Sequence, residues 1–338
     1  MAQPPTHHLP AIYYACSLPL SAGGELVNFQ HAASLRRLGW RCFALLDPGA
    51  RVELPAQPYP VPLVTWSDHM AWHADDWLVV AEVTPPATFA RLAGLPCRVA
   101  IHNQNPYYTF RGFADMERLN AFPLAGGLCP SAFTRDTLRR WGSGCDWHVV
   151  RPALLPHFAQ AAAGTPKRRQ IAFMPRKRPD DARLLRTLFQ GLFPRFADVP
   201  WVEIANAGRA DVARLLAGSS IFASLSRHEG LGLPPLEAMA AGCLVCGFDG
   251  GGGREYATPD NGLWVEEGNL EAFARALAAA LEMDEAETAR RQAAGRATAA
   301  AFSPERFEAE LQAAWRRLLG ADAHRYRVAA QDGAPHAP

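Results

Sequence analysis

The sequence predicts an α/β protein made of two doubly wound, Rossmann-like halves, and three observations carry that prediction. Short apolar runs alternate with helical segments, the alternation breaks once near the middle, and 338 residues leave room for two domains that each bury a core. Ligands of open parallel sheets bind outside the carboxyl ends of the strands, so two such halves are expected to face an interdomain cleft.

In the first half the apolar runs are Ala11 to Cys16, Cys42 to Leu46, Trp77 to Ala81, Arg98 to His102, Gly127 to Cys129 and His148 to Val150. Each is short and continuous, as parallel strands covered on both faces are. A helix from Glu25 to Leu38 carries Leu26, Phe29, Ala33 and Leu38 near helical spacing and ends before Gly39. Another opens on Ser131, a good N-cap, and stops at Gly142. Residues 151–170 then break the pattern with Pro152, Pro156, Gly164 and Pro166, the composition of a linker. The alternation resumes with strands at Ile171 to Met174, Val202 to Asn206, Ile221 to Ser226 and Leu244 to Phe248. Helices are expected at Ala182 to Phe193, Ala210 to Ala217, Leu270 to Glu282 and Asp284 to Ala301. Ser303-Pro304 opens a last one, an N-cap followed by proline at the first position.

Composition narrows the function classes. Thirty-four basic residues against 33 acidic ones give a net charge of +1, which argues against a protein that coats nucleic acid. No run of eighteen apolar residues occurs, so no spanning helix is expected. Ala11 to Leu20 is mostly apolar, but no Lys or Arg precedes it and Gly23-Gly24 with a helix follows, so it reads as a first strand rather than a signal peptide. The seven cysteines, odd in number and scattered, indicate a reducing compartment. Cys243-Leu-Val-Cys246 lies in an apolar run with no second pair, so no metal site is expected there.

The most informative stretch runs from Ser226 to Gly242, Ser-Arg-His-Glu229-Gly230-Leu-Gly232-Leu233-Pro-Pro-Leu-Glu237-Ala-Met-Ala-Ala-Gly, between two predicted strands. Pro234 and Pro235 suit the first turn of a helix and Gly242 its end, while Gly230 and Gly232 let backbone amides approach a ligand. Free N–H groups and the positive end of the helix form a site for an anion such as a pyrophosphate. Glu229 and Glu237, seven residues between them, flank that site. A carboxylate accepts without donating, so the pair is suited to grip sugar hydroxyls on either side of the phosphates. Complementing a helix dipole would account for Glu237 alone and leaves Glu229 and both glycines unexplained.

This Glu-x7-Glu element, with Glu-Ala-Met-Ala-x-Gly after it, resembles the motif of the retaining GT-B glycosyltransferases of the group 1, or family 4, type. The resemblance continues in Gly251-Gly252-Gly253-Arg-Glu255 and Asn261-Gly262-Leu263, and upstream in Gly23-Gly24, Ser131 to Leu138 and Gln170 to Arg178. It implies a GT-B fold with a domain at 1–152 on the acceptor side and one at 153–302 on the donor side. A helix at 303–320 would pack back on the first domain and a flexible tail would cover 321–338. The resemblance also implies roles. Glu229 would hold donor-sugar hydroxyls, Glu237 the ribose, amides around Gly230, Gly232 and Leu233 the pyrophosphate, and Gly23-Gly24 would close on it. His102 matches a family histidine near the donor sugar, and Glu255 is a secondary candidate by the donor pocket. Arg176 matches a family arginine that neutralises the leaving diphosphate. Asp180-Asp181 stands where the family lysine is expected, so Lys177 or Arg178 must substitute.

The implied activity is sugar transfer with retention from a nucleotide-diphosphate sugar to a saccharide or lipid-linked acceptor, in polysaccharide, lipopolysaccharide or glycolipid assembly. No metal and no cofactor are expected, and no nucleic-acid partner. The competing readings are a catalytically degenerate nucleotide-sugar-binding scaffold, motivated by the displaced lysine, and a glycoside hydrolase using Glu229 and Glu237 as its carboxylate pair. A cytoplasmic location is expected. Arg36-Arg37 and Arg139-Arg140 are either exposed helix faces or peripheral contacts with a membrane surface.

Overall fold

The chain divides into two compact units, residues 1–152 with 307–338 and residues 153–306. The computed structural model describes residues 8–16, 23–48, 59–67 and 69–328. The first unit runs β1 (Ile12–Cys16), α1 (Gly23–Arg37), β2 (Cys42–Leu46), β3 (Leu63–Thr65), β4 (Trp77–Ala81), α2 (Pro86–Leu92), β5 (Arg98–His102), α3 (Met116–Ala121), β6 (Leu124–Cys129), α4 (Ala132–Arg140) and β7 (Trp147–Val149). All strand pairs are parallel, in the order β3-β2-β1-β4-β5-β6-β7. The order reverses direction between β1 and β4, which makes their carboxyl ends the switch point of this sheet. Helix α4 follows its sequence signals: Ser131 Oγ accepts the Thr134 N–H at 3.0 Å, and Gly142 ends the segment at φ +92°.

The second unit runs α5 (His157–Ala162), β8 (Arg168–Phe173), α6 (Pro179–Leu192), β9 (Trp201–Glu203), α7 (Arg209–Ala217), β10 (Ser219–Leu225), α8 (Leu233–Ala240), β11 (Leu244–Phe248), β12 (Gly262–Trp264), α9 (Leu270–Glu282) and α10 (Glu285–Ala300). Its parallel sheet has the order β12-β11-β10-β8-β9, with the switch point between β8 and β10. Alternate residues of β10 feed opposite faces. Ile221, Ala223 and Leu225 pack with Phe189 of α6 and Phe273 and Leu277 of α9. Phe222 packs with Leu216 of α7 and Leu236 and Met239 of α8. Lys167 fixes the far end of α8: its Nζ donates to Leu216 O at 3.0 Å and to Ala241 O at 2.5 Å, answering carbonyls that two helix ends leave open.

A last helix, α11 (Pro304–Leu319), belongs from Phe307 onward to the first unit. Its buried residues Phe307, Leu311, Ala314, Trp315 and Leu319 fall on one helical face. Trp315 Nε1 donates to Tyr14 Oη at 3.1 Å, and its ring stands edge-on to Trp77 at 5.5 Å. Each such fully buried aromatic is worth on the order of 2–3 kcal/mol of burial.

The sequence reading needs correction at several elements. The expected linker 151–170 contains α5 and the start of β8, because Phe158 has a core to pack into that proline content does not reveal. Strands β3 and β12, three residues each, carry too short a pattern to stand out. β9 stops at Glu203 rather than Asn206, which has φ +50°. The expected tail from 321 is folded as far as 328: residues Gly320–Tyr326 form a 3-10 turn, Tyr326 is fully buried, and Arg327 bridges Trp40. Residues 329–338 of that tail lie outside the described residues. Among the described residues no helix is long and apolar enough to cross a membrane, and no group of three His, Cys, Asp or Glu could hold a metal ion.

Candidate active site

In the second unit β8 and β10 are neighbours at the switch point, so the segments leaving their carboxyl ends lie side by side. The segment after β8 supplies Arg176, Lys177 and Arg178; the one after β10 supplies Arg227, His228 and Glu229. Lys177 Nζ lies 2.7 Å from Glu229 Oε1 and 3.3 Å from Arg227 O, tying the two together. Arg178 points elsewhere. It is buried, pairs with Asp181 at 2.6 Å and with Glu267, and lies 4.9 Å over the Phe248 ring. Arg178 is therefore engaged at the start of α6, and of the two candidates for the displaced lysine Lys177 is the one that pairs with Glu229. Arg176 is exposed. His228 has φ +49°, a strained conformation for a residue with a side chain, and desolvation with the Arg227, Arg178 and Lys177 charges holds its imidazole below the usual range.

The loop then turns into α8 through Gly232, at φ +85° and ψ +77°, with no side chain capping the helix. Only glycine takes that conformation without strain. Pro234 and Pro235 have no N–H, so the amide the first turn can offer an anion is that of Leu233. Tyr256 holds the glycine from behind, its hydroxyl donating to Gly232 O at 2.6 Å. The glycine run closes against the loop as well. Glu229 N–H donates to Gly250 O at 2.8 Å, and a Cβ on Gly252 would lie 2.5–2.6 Å from backbone atoms of Glu229, Gly230 and Leu231. Glu255 ends the short turn Gly252–Glu255 and is half-buried.

Glu237 sits one turn into α8. Among the described residues the influences on its carboxyl are desolvation and the Arg209 charge, with no hydrogen-bond donor. The side chain keeps some accessible surface, yet desolvation pushes its carboxyl up to about 7 against a weaker opposing pull from Arg209. An acceptor held in a poorly solvated position without a partner is a site for a ligand's hydroxyl donors.

The first unit gathers its own set at the ends of β1, β4 and β5. His102 closes β5, is fully buried, and its Nδ1 lies 2.7 Å from Asn28 Oδ1 on α1. Gln104 Nε2 donates to Gly24 O at 2.8 Å and to Asn28 Oδ1 at 3.2 Å, linking the glycine pair at the start of α1 to the histidine. A Cβ on Gly24 would meet Gln104 Oε1 at 2.8 Å. Glu82, just after β4, accepts the N–H groups of Gln104 and Asn105 at 3.2 and 3.1 Å, and burial pushes its carboxyl up to about 7. His102 is held near 3 by desolvation and is neutral at any physiological pH.

Thus the second unit brings together Lys177, Glu229, Gly230, Gly232, Leu233 and Glu237, with Glu255 on the adjoining turn, and the first brings together Gly24 and His102. Gly23 precedes Gly24 as the first residue of α1. Sequence reasoning missed Asn28, Gln104, Glu82 and Tyr256, whose partners are far along the chain. The one local signal was Asn28 standing four residues after Gly24, one helical turn on.

The family described as glycosyl transferases group 1 matches residues 204–297, the stretch that includes the glutamate loop, α8 and the glycine run. The alpha-1,6-glucosyltransferase of Actinobacillus pleuropneumoniae serotype 7 is 30% identical over 265 residues, spanning 77% of this chain and 80% of that protein. Among solved structures, Anabaena HepE in complex with UDP and glucose matches with a TM-score of 0.69 at 15% identity, over 91% of this chain and 100% of that one. A glycosyltransferase from Rickettsia africae matches at 0.67 and 15% identity, over 92% and 99%. These structural likenesses speak to the fold, and they agree with the two parallel-sheet units described above. With the glutamate loop, its helix and a relative that aligns over three-quarters of the residues, the chain belongs to the group 1 glycosyltransferases of GT-B fold.

Proposed function

We propose that the protein transfers a sugar, with retention of anomeric configuration, from a nucleotide-diphosphate sugar to a hydroxyl of a saccharide or lipid-linked acceptor. The observation that carries this reading is the second unit's switch point. There Lys177 is ion-paired with Glu229, the loop leads into an uncapped helix start, and Glu237 follows one turn into that helix. The Leu233 amide and the helix dipole bind the diphosphate, and Lys177 with Arg176 neutralises the charge that develops on it as the glycosidic bond breaks. Glu229, released from Lys177 when the diphosphate claims that cation, accepts hydroxyls of the transferred sugar. Glu237 accepts those of the ribose. The chemistry needs no metal, because side-chain cations supply the leaving-group charge. Polysaccharide, lipopolysaccharide or glycolipid assembly at the cytoplasmic face of a membrane is the setting this reading favours.

The test is a thermal-shift screen of UDP-, GDP-, dTDP- and ADP-sugars with chelator present, followed by assignment of the product anomer by NMR. UDP-glucose is the first donor to try, since the A. pleuropneumoniae relative is called a glucosyltransferase and HepE was solved with UDP and glucose. Ligands that bind only the folded chain raise its apparent stability by mass action. A shift that survives chelation, is lost in Glu237→Ala and leads to a retained anomer supports the reading. An inverted product, or binding that requires a divalent ion, overturns it.

A further inference from the structure

A cavity of about 400 Å3 opens beside β11 and β12 in the second unit, and its lining includes Asp249, Arg254, Thr258, Leu263, Trp264 and Arg291. That volume falls in the range of about 300–1,000 Å3 typical of small-molecule sites. None of Lys177, Glu229, Gly232, Leu233 or Glu237 lines it. The walls are held by hydrogen bonds of their own. Buried Asn261 accepts the Thr258 N–H and the Trp264 indole N–H on Oδ1, each at 3.0 Å, while Nδ2 donates to Tyr256 O at 2.7 Å and to Thr298 Oγ1 at 3.0 Å. Arg291 Nη1 donates to Pro259 O at 2.5 Å and to Gly262 O at 3.2 Å, which braces the turn ahead of β12. Gly262 lets the indole lie close, since a Cβ there would meet Trp264 Nε1 at 2.8 Å. Walls fixed in advance need little further ordering when a ligand binds.

The walls leave open a mixed set of hydrogen-bonding groups beside an apolar surface. Arg254 has a side chain 70% exposed and meets Asp249 only loosely, Nε to Oδ2 at 3.5 Å, so its two Nη groups are available as donors. Asp249 Oδ1 takes the Gly251 N–H at 2.6 Å, and Oδ2 has no donor closer than that arginine among the described residues. Arg291 uses Nε on Glu287 at 2.6 Å and Nη1 on the two carbonyls, and no acceptor among the described residues takes Nη2. Half-buried Leu263 and Trp264 supply the apolar surface, and exposed Thr258 adds a hydroxyl. The charges around the cavity balance. Arg254, Arg290 and Arg291 stand against Asp249, Asp260 and Glu287, with Arg290 reaching Asp260 at 3.1 Å and Glu287 at 2.6 Å. A phosphate or carboxylate would therefore meet no net positive field. Fixed donors, a carboxylate acceptor and an indole in one cavity match a neutral ring that carries hydroxyls around an apolar face, which is the chemistry of a saccharide.

We propose that this cavity is a second saccharide site, which holds a neutral sugar unit of a glycan apart from the glutamate loop. Sugar hydroxyls donate to Asp249 Oδ2 and accept from Arg254 and from Arg291 Nη2, and the C–H face of the ring lies against Trp264 and Leu263. The site adjoins the candidate active site through backbone alone: Asp249 holds the Gly251 N–H, and Gly250 O accepts the Glu229 N–H at 2.8 Å. Two sugar-binding points on one chain raise the effective concentration of a glycan that spans them, so the second site retains a glycan between transfers. That role rests on the sugar-transfer reading, whereas binding in the cavity requires no turnover.

The test is an NMR titration of the full chain labelled with 15N-tryptophan, in which the Trp264 indole signal is assigned by its loss in Trp264→Phe. Methyl glucoside and a glucose disaccharide are expected to move that signal saturably, with an affinity that does not change between low and high salt. UDP alone leaves it in place. Arg254→Ala, a change at an exposed side chain, weakens the response about tenfold, the worth of one hydrogen bond to a charged group. Glu229→Gln keeps the response in full while transfer is lost, which separates the cavity from the glutamate loop. A Trp264 signal that ignores both sugars overturns the proposal. So does a response that disappears in Glu229→Gln, because the sugar is then bound at the glutamate loop, or one that is unchanged in Arg254→Ala. Preference for glucuronate with an affinity that falls as salt rises makes the cavity an anion site and overturns it as well. Failure of every nucleotide sugar to serve as donor, with the Trp264 response intact, overturns the sugar-transfer reading and upholds the saccharide site.

Discussion

Replacing Glu237 with glutamine tests the site through stability as well as activity. The carboxyl is raised from the usual 4.5 to about 7 because it is desolvated without a hydrogen-bond donor to compensate. The folded chain therefore holds a proton that the unfolded chain has lost between about pH 4.5 and pH 7. Stability falls as pH rises through that window, and the full penalty is present above it. A displacement of that size corresponds to about 3 kcal/mol as an upper figure. The partial accessibility of the side chain and the polar amide left by the substitution reduce the expected gain to on the order of 1–2 kcal/mol. Glu237→Gln is thus expected to be more stable than the native chain near pH 8, with the difference closing near pH 5, as read from urea midpoints at both. The same variant is expected to lose nucleotide affinity, since the amide replaces one of the carboxylate's two accepting oxygens with a donor and removes its charge. In the native chain nucleotide binding favours the ionised form, so affinity climbs from about pH 5.5 to pH 7.5 and calorimetry shows proton release. A stability difference that is equal at both pH values, or a destabilised variant at pH 8, would refute an unpartnered, desolvated carboxylate held for a ligand.

Three further outcomes follow from the same unit. Gly252→Ala places a Cβ 2.5–2.6 Å from backbone of the glutamate loop and should cost about 1–3 kcal/mol while also lowering turnover; a variant of native stability would mean the loop can move aside. Tyr256→Phe strips the donor from Gly232 O, a buried carbonyl at the start of α8, and should cost about 1–2 kcal/mol in urea denaturation, with a neutral result showing that the contact is idle. Glu229→Gln releases Lys177 from its ion pair, so affinity for a nucleoside diphosphate without sugar should hold or rise while transfer collapses. Parallel loss of both, measured by titration calorimetry and product formation, would place Glu229 on the phosphates instead.

The parts of this molecule legible in its sequence are those whose causes are local. Ser131 and Gly142 delimit α4 because a cap and a left-handed glycine act within one turn of chain, and the glutamate loop announces itself because Gly232, two prolines and Glu237 are all its own neighbours. The assignments that failed had distant causes. α5 exists because Phe158 meets a core assembled from later strands, and the turn after α11 is folded because Tyr326 and Arg327 meet residues from the first part of the chain. The different surroundings of Lys177 and Arg178 belong to the same class: adjacent and both cationic, they differ in what stands opposite, Glu229 for one and Asp181, Glu267 and Phe248 for the other. His102 makes the point most sharply. Its position at a strand end was readable, but its hydrogen-bond partner is Asn28, which also bonds to Ala15 and Gln104, and Gln104 in turn holds Gly24. No spacing rule links those five positions, because α1 and the ends of β1 and β5 meet only when the sheet is ordered with β4 between β1 and β5. A motif can therefore point to candidate groups, while the partners that orient them are a property of the folded sheet.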